Sequence, residues 1–324
     1  MIAAKESGLL LLNKKPGFTS FDSLAAVKRA FNTGKAGHTG TLDKFAGGLL
    51  LVLVGRGVKL VPLFSGCVKE YTGTVRFGEE TDTLDPEGAV CATGPIPSRE
   101  QVEAVLPAFR GDILQAPPEY SALHINGRRA HELVREGIKP EIKKRPVTIH
   151  SLEILSWTPP QAVIRAAVSS GTYIRSLARD IAIAAGSRAH LTALVRTRVG
   201  AFRLEDSVED NGAEENKSGE TLQRALRPLD SGLFETLSLP YFLLDTGAAR
   251  GFFHGKPLPE LLAGAEFLPP ANGKGEPGGE SSETGSAAFS GVFLKDAAGK
   301  PERLIGILER KNGNWGYAHV FTDN

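Results

Sequence analysis

Runs of apolar residues in the first part of the chain have the patterns of β-strands. Residues 8–13 and 48–54 are almost continuously apolar, which is typical of short strands buried in a sheet. Residues 71–77 instead alternate between apolar and polar side chains, as half-buried strands do. Three segments in the middle of the chain also have strand patterns: 120–125, before an Asn126-Gly127 turn, and 147–155 and 162–169, which flank Pro159 and Pro160.

Helical signals separate these strands. Thr19 and Asp22 have the spacing of a capping box, and the helix that follows places Phe21, Leu24, Val27 and Phe31 on one face. Another helix is predicted over residues 173–185, with Ile174, Leu177, Ala178 and Ile181 facing inward. Two shorter helices are predicted over residues 98–109, with Ser98 as the cap, and 130–135. Residues 34–48 break the periodicity and predict a polar, glycine-rich loop.

Short strand patterns return near the carboxyl terminus and predict a small β-rich second domain: residues 239–244, 291–294, 304–308 and 317–321. Residues 264–287 are rich in glycine, proline, serine and glutamate and predict a mobile insertion in that domain. The acidic segment 205–220 predicts a linker or surface loop. We therefore expect domains over residues 1–236 and 237–324. Strands and helices that do not alternate strictly favour an α+β fold with a largely antiparallel sheet.

Composition excludes several classes of protein. The 324 residues are 41% hydrophobic and 23% charged, with a mean hydropathy of −0.12, as in ordinary globular proteins. The longest apolar run, residues 49–54, is far too short to span a membrane. Two cysteines, Cys67 and Cys91, provide neither a disulfide framework nor a cysteine zinc site. A cytoplasmic protein is expected.

The net charge of +1 conceals an uneven distribution of charge. Residues 1–204 hold 27 basic and 18 acidic side chains, whereas residues 205–324 hold 11 and 19. A basic part next to an acidic part suggests a polyanionic partner for the first. Solvated surface lysines explain the same counts equally well.

Motifs for cofactors and metals are missing from this sequence. Gly34-Lys35 is followed by Ala36, so a phosphate-binding P-loop is not formed. The G-x-G-x-x-G spacing at residues 273–278 lies in the low-complexity insertion with no strand before it. His131-Glu132 lacks the second histidine of a zinc-protease motif, because Arg135 stands there. We expect neither a cofactor nor a metal.

Residues 37–43 combine two glycines and two threonines in a compact loop that ends on Asp43, just before the apolar run 48–54. A carboxylate just before the start of a buried strand is well placed for nucleophilic or acid–base chemistry. Aspartate also caps turns and helices, and spacing alone does not decide between the two roles.

Two further residues carry candidate chemistry. Arg175 follows Tyr173 at the start of the predicted helix, where a guanidinium can pair with a carboxylate or a phosphate, or simply lie on the surface. Tyr71 follows Lys69 and Glu70 at the head of a strand; it can stack on a nucleic-acid base or pack in the core.

Together these segments resemble the TruB family of pseudouridine synthases, stand-alone enzymes for the T-loop uridine of tRNA, over most of the chain. The resemblance rests on an ordered set of motifs: residues 10–14 with 17–20, 36–43, Lys69-Glu70-Tyr71, Arg76-Phe77-Gly78 with Thr81-Asp82-Thr83, Phe109-Arg110-Gly111, 120–123 and 171–175. The family implies a catalytic domain built on an antiparallel sheet, followed by a PUA-like RNA-binding domain.

The resemblance also implies roles for individual residues. Asp43 matches the catalytic aspartate, Arg175 the arginine paired with it, and Tyr71 the tyrosine that stacks on the target base and is proposed to help remove its C5 proton. The remaining matches are expected to bind RNA or line the pocket: His38, Tyr173, Leu194 and Lys14. Lys44 replaces the proline that usually follows the aspartate, and we expect this added lysine to contact RNA.

Conversion of uridine to pseudouridine needs no redox change or group donor, in agreement with the missing cofactor motifs. The uridine must be extruded from its stack, at a cost of about a few kcal/mol, which phosphate contacts in the basic part can offset. We expect Asp43 to be ionised through its pairing with Arg175. Whether it attacks C6 of the base, attacks C1′ or assists elimination to a glycal stays open.

The expected partner is the T-arm of tRNA, bound by a monomer without a membrane or a guide RNA. Three alternative functions compete with this one: a non-catalytic tRNA-binding or folding module, a guide-RNA-dependent pseudouridylase, and a glycoside hydrolase. The last requires a second catalytic carboxylate, for which the sequence offers no obvious candidate.

Overall fold

Two leucine-rich strands, β1 (Gly8–Lys14) and β3 (Gly47–Val54), pair antiparallel along their length in a ten-stranded sheet. The computed structural model of the protein describes residues 7–121, 124–125, 128–129, 133, 136, 142–209, 218–270 and 289–322. Leu10 and Leu50 point into one apolar core, whereas Leu9 and Leu51 point into another on the opposite face. Because neither face meets water, both strands are continuously apolar, as predicted.

The other strands of this sheet are β2 (Ala36–His38), β4 (Lys69–Phe77), β7 (Gly111–Gln115), β10 (Arg145–Thr158), β11 (Gln161–Val168), β12 (Ala189–Val199), β13 (Phe202–Arg203) and β14 (Val208–Glu209). Their order is β14-β1-β3-β12-β4-β11-β10-β7, with β2 on β3 and β13 on β12. Only the β1–β14 and β3–β12 pairs among them are parallel. The predicted mixed, largely antiparallel sheet is therefore confirmed. Two short ribbons lie outside it: β5 (Glu79–Thr81) with β6 (Val90–Thr93), and β8 (His124–Ile125) with β9 (Arg128–Arg129).

The α-helices of the described residues are α1 (Ser20–Ala30), α2 (Arg99–Val105), α3 (Ile174–Ala184), α4 (Ser218–Arg224), α5 (Ser231–Thr236), α6 (Thr246–Phe253) and α7 (Leu258–Leu262). The capping box before α1 is present, since the Thr19 side chain accepts from the Asp22 amide and Asp22 accepts from the Thr19 amide. Leu24 and Val27 are buried as predicted. Phe21 is 70% exposed and its ring lies 5.9 Å from the Lys28 ammonium, so this apolar residue is not part of the buried face of α1.

The second sheet has the order β16-β15-β17-β18-β19 and consists of β15 (Tyr241–Leu244), β16 (Glu266–Leu268), β17 (Phe289–Lys295), β18 (Pro301–Lys311) and β19 (Asn314–Val320). Tyr241, Leu243 and Phe293 of this sheet share one apolar core with Leu9 and Leu51 of the first. The carboxyl-terminal strands thus cover the face of β1 and β3 that points away from α1. The division of the chain at residue 236 stays a prediction.

Several loop predictions differ from the structure. The predicted insertion 264–287 begins with β16, which pairs with β15; residues 271–287 lie outside the described residues. The predicted linker 205–220 includes β14, which pairs with β1, and the first residues of α4. The predicted loop 34–48 contains β2, which pairs with β3. The predicted helix 130–135 lies almost wholly outside the described residues.

Candidate active site

Asp43 lies at the end of a loop that is held on both sides. Ser20, the first residue of α1, is buried, and its hydroxyl accepts from the Leu42 amide at 2.9 Å and lies 3.2 Å from the Leu42 carbonyl oxygen. After the aspartate, the Ala46 amide donates to the Asp43 carbonyl at 3.1 Å and turns the chain into β3. The loop is therefore fixed to a helix start and to a buried strand, which makes its carboxylate a rigid group.

Strand β12 brings the other walls of the site to this loop. Arg196 lies opposite Gly48 of β3 on one side and opposite Tyr71 of β4 on the other. Gly48 has a φ of +98°, and a Cβ atom there would lie 2.4 Å from the Arg196 carbonyl oxygen, so only glycine allows this approach. The three-strand contact places Asp43, Tyr71 and Leu194 around one cavity.

Arg175 points at the Asp43 carboxylate from the first turn of α3. Its Nη2 donates to Oδ1 at 3.2 Å, and its Nε lies 2.9 Å from Oδ2. The guanidinium also donates to the carbonyl oxygens of Thr83, at 2.7 Å, and Tyr120, at 3.0 Å. The arginine side chain is only 5% exposed, whereas that of Asp43 is 39% exposed. Arg175 therefore fixes the carboxylate from behind and leaves it open to the cavity.

A second carboxylate, that of Asp85, contacts the same guanidinium. Its Oδ2 lies 3.2 Å from Arg175 Nη1, and its Oδ1 accepts from the Thr83 hydroxyl at 2.5 Å and from the Glu87 amide at 3.0 Å. The preceding residue, Leu84, is buried with a φ of +63°, a left-handed conformation that costs a non-glycine residue about 1–3 kcal/mol. This turn aims a carbonyl and a carboxylate at Arg175.

The pKa of Asp43 is raised above its ordinary value. Burial is the largest cause, and the Asp85 carboxylate adds to it, whereas Arg175 and, more weakly, Lys14 oppose it. Pairing with Arg175 does favour the ionised form, as expected from the sequence, but it does not outweigh burial. Two carboxylates share one guanidinium here, so Asp43 carries a charge that its surroundings compensate incompletely.

Tyr173 is held by a buried glutamine. Its amide donates to Oε1 of Gln115 at 2.8 Å, and its carbonyl accepts from Nε2 at 3.1 Å. The Arg145 guanidinium lies 5.2 Å from the centroid of the tyrosine ring. Gln115 thus ties β7 to the start of α3, two residues before Arg175.

The cavity beside Asp43 has a volume of about 280 Å³ and brings together five of the predicted site residues: Asp43, Tyr71, Tyr173, Arg175 and Leu194. Tyr71 and Leu194 are buried and supply an aromatic and an aliphatic wall. Asp85 lies behind Arg175 with its side chain 7% exposed, so it does not reach a substrate as the second acid of a glycosidase does. The arrangement presents one accessible carboxylate to a small planar group, with Tyr71 and Tyr173 among the residues around it.

Three predicted RNA-binding residues are not in the lining of this cavity. Lys14 is completely buried, and its ammonium donates to the carbonyls of Phe18, at 2.6 Å, and Lys15, at 3.1 Å, so a direct contact with RNA is not compatible with this position. Its charge acts on Asp43 from inside the protein. Lys44 lies on the surface, 3.6 Å from Glu87.

His38 precedes the cavity residue Thr39 along the chain. Its Nδ1 is buried and has no hydrogen-bond partner among the described residues. Burial, together with the nearby charge of Arg196, lowers the pKa of this histidine. It is therefore a neutral ring at physiological pH.

The sequence predictions missed Asp85, Gln115 and Ser20. Asp85 follows the Thr81-Asp82-Thr83 motif by two residues, and its turn chemistry was a usable signal. Gln115 and Ser20 act through backbone contacts that only the tertiary structure reveals. Arg196, which lines the same cavity, was missed as well.

Side chains of His, Cys, Asp and Glu do not gather into a metal-binding group within the described ranges. The helices of the described part of the chain also lack the length and hydrophobicity needed to cross a bilayer.

Comparison with known protein families assigns two consecutive segments. Residues 28–174 match the N-terminal domain of the TruB family of pseudouridylate synthases. Residues 175–234 match the C-terminal domain of tRNA pseudouridylate synthase B. The boundary between the two matches coincides with Arg175, within the predicted domain 1–236.

Several proteins named tRNA pseudouridine synthase B are similar in sequence. That of Borreliella burgdorferi (strain ZS7) is 47% identical over 205 residues, 62% of this chain and 73% of the relative. That of Novosphingobium aromaticivorans is 41% identical over 265 residues, covering 78% and 86%. That of Dechloromonas aromatica is 42% identical over 277 residues, covering 84% and 91%.

Solved structures with a similar fold include the crystal structure of a Cbf5–Nop10–Gar1 complex. It has a TM-score of 0.64 at 24% identity, over 97% of this chain and 84% of the other. The archaeal box H/ACA Nop10–Cbf5 complex gives a TM-score of 0.61 at 23% identity, over 97% and 85%. At this identity the likeness concerns the fold alone.

Proposed function

This chain belongs to the TruB family of pseudouridine synthases, and on that premise we propose that the cavity beside Asp43 is where a uridine of tRNA is isomerised to pseudouridine. The protein is an isomerase of the tRNA pseudouridine synthase class. One observation supports the location above all others. An accessible carboxylate, held from behind by a buried guanidinium, faces a cavity walled by Tyr71 and Leu194.

The reaction rearranges bonds within one nucleotide. The bond between N1 of the base and C1′ of the ribose breaks, and a bond between C5 and C1′ forms. The proton on C5 leaves, and N1 gains a proton, so atoms and charge balance without a co-reactant. Asp43 is the nucleophile or base of this reaction. It acts by attack on C6, by attack on C1′ or by assisting elimination to a glycal.

The remaining residues of the cavity position the base. Arg175 orients the Asp43 carboxylate and stabilises its charge. Tyr71 stacks on the uracil, an interaction worth about 1–3 kcal/mol per base, and its phenol is the candidate acceptor of the C5 proton. Leu194 and Tyr173 complete the walls. The cavity admits the base only after the nucleotide leaves its stack.

The substrate within tRNA is the T-loop uridine at position 55, recognised with the T-arm by a monomer that needs no guide RNA. The basic side chains of residues 1–204 supply phosphate contacts. The carboxyl-terminal sheet is a PUA-like module that extends the RNA-binding surface. His38 stacks within the rearranged T-loop. Lys44, exposed beside the cavity loop, adds a phosphate contact. The protein acts in the cytoplasm.

Incubation of the purified protein with an unmodified tRNA transcript tests this function. Pseudouridine mapping before and after incubation is expected to show one new modification, at position 55. A transcript with cytidine at that position is the matched control and should remain unmodified. An unchanged wild-type transcript would contradict the proposal, and modification only after addition of a guide RNA would favour the guide-dependent class.

A further inference from the structure

Two cations, Lys69 and Arg196, line the same cavity as Asp43 and are almost completely buried. Lys69 is 8% exposed and Arg196 is 1% exposed. Among the described residues, carboxylate oxygens do not come within 4.0 Å of either charged group, in contrast to Arg175 with its two carboxylates. Buried charges are normally paired, because removal from water costs several kcal/mol per ion. These two cations therefore need an explanation.

Their hydrogen bonds leave donors unused. Arg196 donates from Nε to the Leu49 carbonyl at 2.7 Å and from Nη2 to the Gly40 carbonyl at 3.1 Å. Its Nη1 is buried and has no hydrogen-bond partner among the described residues. Lys69 donates to the Cys67 carbonyl at 3.1 Å, and an ammonium has three protons to give. The bonds to Leu49 and Gly40 support the loop of Asp43, but they do not occupy Nη1 or the second and third donors of Lys69.

The two side chains converge on one point. Arg196 Nη1 and Lys69 Cε each lie 3.6 Å from the position that a Cβ atom on Gly40 would take. Burial and the adjacent Arg196 charge lower the pKa of Lys69. Two neighbouring cations that repel each other, with donors that the described residues do not use, form an arrangement that suits an anion.

We propose that Lys69 and Arg196 form a phosphate subsite that binds the backbone phosphate next to the uridine whose base lies beside Asp43. This proposal rests on the proposed function and adds to it the residues that hold the substrate's backbone. The base and the phosphate of a nucleotide lie on different sides of its ribose. The cavity is lined both by the Asp43 carboxylate and by these two cations. A guanidinium and an ammonium together suit phosphate oxygens, and the phosphate neutralises the charges that the protein leaves unpaired.

The test is a thermodynamic cycle between one lysine and one phosphate. T-arm hairpin RNAs are prepared with a single neutral methylphosphonate linkage on a 2′-deoxy sugar, placed 5′ or 3′ of the target uridine. The matched RNAs carry the same deoxy sugar and an ordinary phosphate. For the wild-type protein, the neutral linkage at one of the two positions should raise Kd by about tenfold or more relative to the matched phosphate RNA. This ratio is the one expected for loss of a charge-assisted hydrogen bond. For Lys69→Met, this ratio of Kd values should fall by about threefold or more, because Arg196 alone then contacts the phosphate.

Arg198→Met is the matched control. Arg198 lies on the same strand as Arg196 but has a carboxylate partner, Glu70, at 3.5 Å. This variant should discriminate between the two RNAs as the wild type does. Arg196→Lys keeps the charge but offers fewer N–H donors. It should reduce the ratio of Kd values between neutral and charged RNA without abolishing binding. Thermal unfolding of each variant verifies that the Asp43 loop is intact.

The proposal is overturned if Lys69→Met weakens binding of charged and neutral RNAs by the same factor, or if the wild-type protein does not discriminate at either linkage. Product formation on the unmodified hairpin is measured in parallel. Wild-type product without discrimination refutes the subsite alone. The absence of wild-type product contradicts the proposed function, whatever the cycle gives.

Discussion

Asp43 and Asp85 contact the same guanidinium group from different sides, at 2.9 Å and 3.2 Å. One cation therefore serves two carboxylates, and only that of Asp43 faces the cavity. The geometry holds the reactive carboxylate still while leaving its charge incompletely compensated.

Asp43→Asn is expected to abolish conversion, by at least about a thousandfold in kcat, because an amide is neither a nucleophile nor a base. Affinity for tRNA should stay near that of the wild type, since phosphates and walls of the cavity provide the binding. The measurement uses tRNA labelled with tritium at uridine C5 and counts released label. Release at the wild-type rate would reject the assignment of Asp43.

The same substitution is expected to leave Tm at pH 7 equal to or higher than that of the wild type. The pKa of Asp43 is higher in the folded than in the unfolded state, so ionisation at neutral pH opposes folding. This penalty is present above the folded-state pKa and fades as the pH falls towards the unfolded value. Thermal unfolding at pH 4 and pH 7 tests it: the variant's advantage should shrink at pH 4. A lower Tm of the variant at pH 7 would contradict the prediction.

The rate of conversion should fall on the acid side with an apparent pKa above that of an ordinary aspartate, since Asp43 must be ionised to react. Asp85→Asn removes a charge that raises the pKa of Asp43, and it should move this acid limb to lower pH. We expect kcat of that variant to fall about tenfold or more at pH 7, because Arg175 loses a partner that orients it. Glu87→Gln is the control, since Glu87 contacts Asp85 through its backbone amide only. An acid limb that stays in place in Asp85→Asn would exclude the coupling.

Tyr71→Phe separates two roles of one side chain. The ring keeps its area for stacking, so Kd for tRNA should change less than about threefold. If the phenol takes the C5 proton, release of tritium should fall by about a hundredfold or more. Full activity of this variant would show that proton removal belongs to another group. Tyr120→Phe provides a control, because Arg175 contacts that residue through its carbonyl oxygen.

Gln115→Ala leaves the partly buried amide and carbonyl of Tyr173 without their side-chain partners. The free energy of unfolding should fall by about 1–3 kcal/mol in total, because water can reach part of this region. The rate should fall as well, because the first turn of α3 carries Arg175. Gln161→Ala, at an exposed strand end, is the control and should change neither. Wild-type stability of Gln115→Ala would show that water replaces the glutamine fully.

Patterns among neighbouring residues predicted the helix start, the helix face and the buried strands, because these features depend mainly on local sequence. The Thr19–Asp22 capping box, the buried face of α3 and the apolar strands β1 and β3 depend on neighbouring residues and burial, and the structure contains all of them. Local patterns singled out Asp43, Tyr71 and Arg175 as candidates, the family resemblance supplied their roles, and the structure places them around one cavity. Their catalytic roles stay predictions.

The missed features depend on contacts between distant parts of the chain. Asp85 reaches Arg175 only because a left-handed Leu84 turns the chain, and Arg196 meets Gly48 only through the register of β12. The family resemblance predicted an RNA contact for Lys14, yet tertiary packing encloses it against backbone carbonyls. The spacing of residues does not reveal whether a lysine is buried in this way, because the same lysine on an edge strand would face solvent.

The sharing of one core between the two sheets has a practical consequence for work on fragments. A fragment ending at residue 236 would lack the strands of the second sheet, which cover part of the apolar face formed by Leu9, Leu11, Leu49, Leu51 and Leu53. An exposed apolar surface of this kind promotes aggregation. A loss of activity in the fragment would therefore not show whether the missing strands contact RNA. Dissecting the RNA surface of this enzyme calls for point changes on the outer strands of an intact chain.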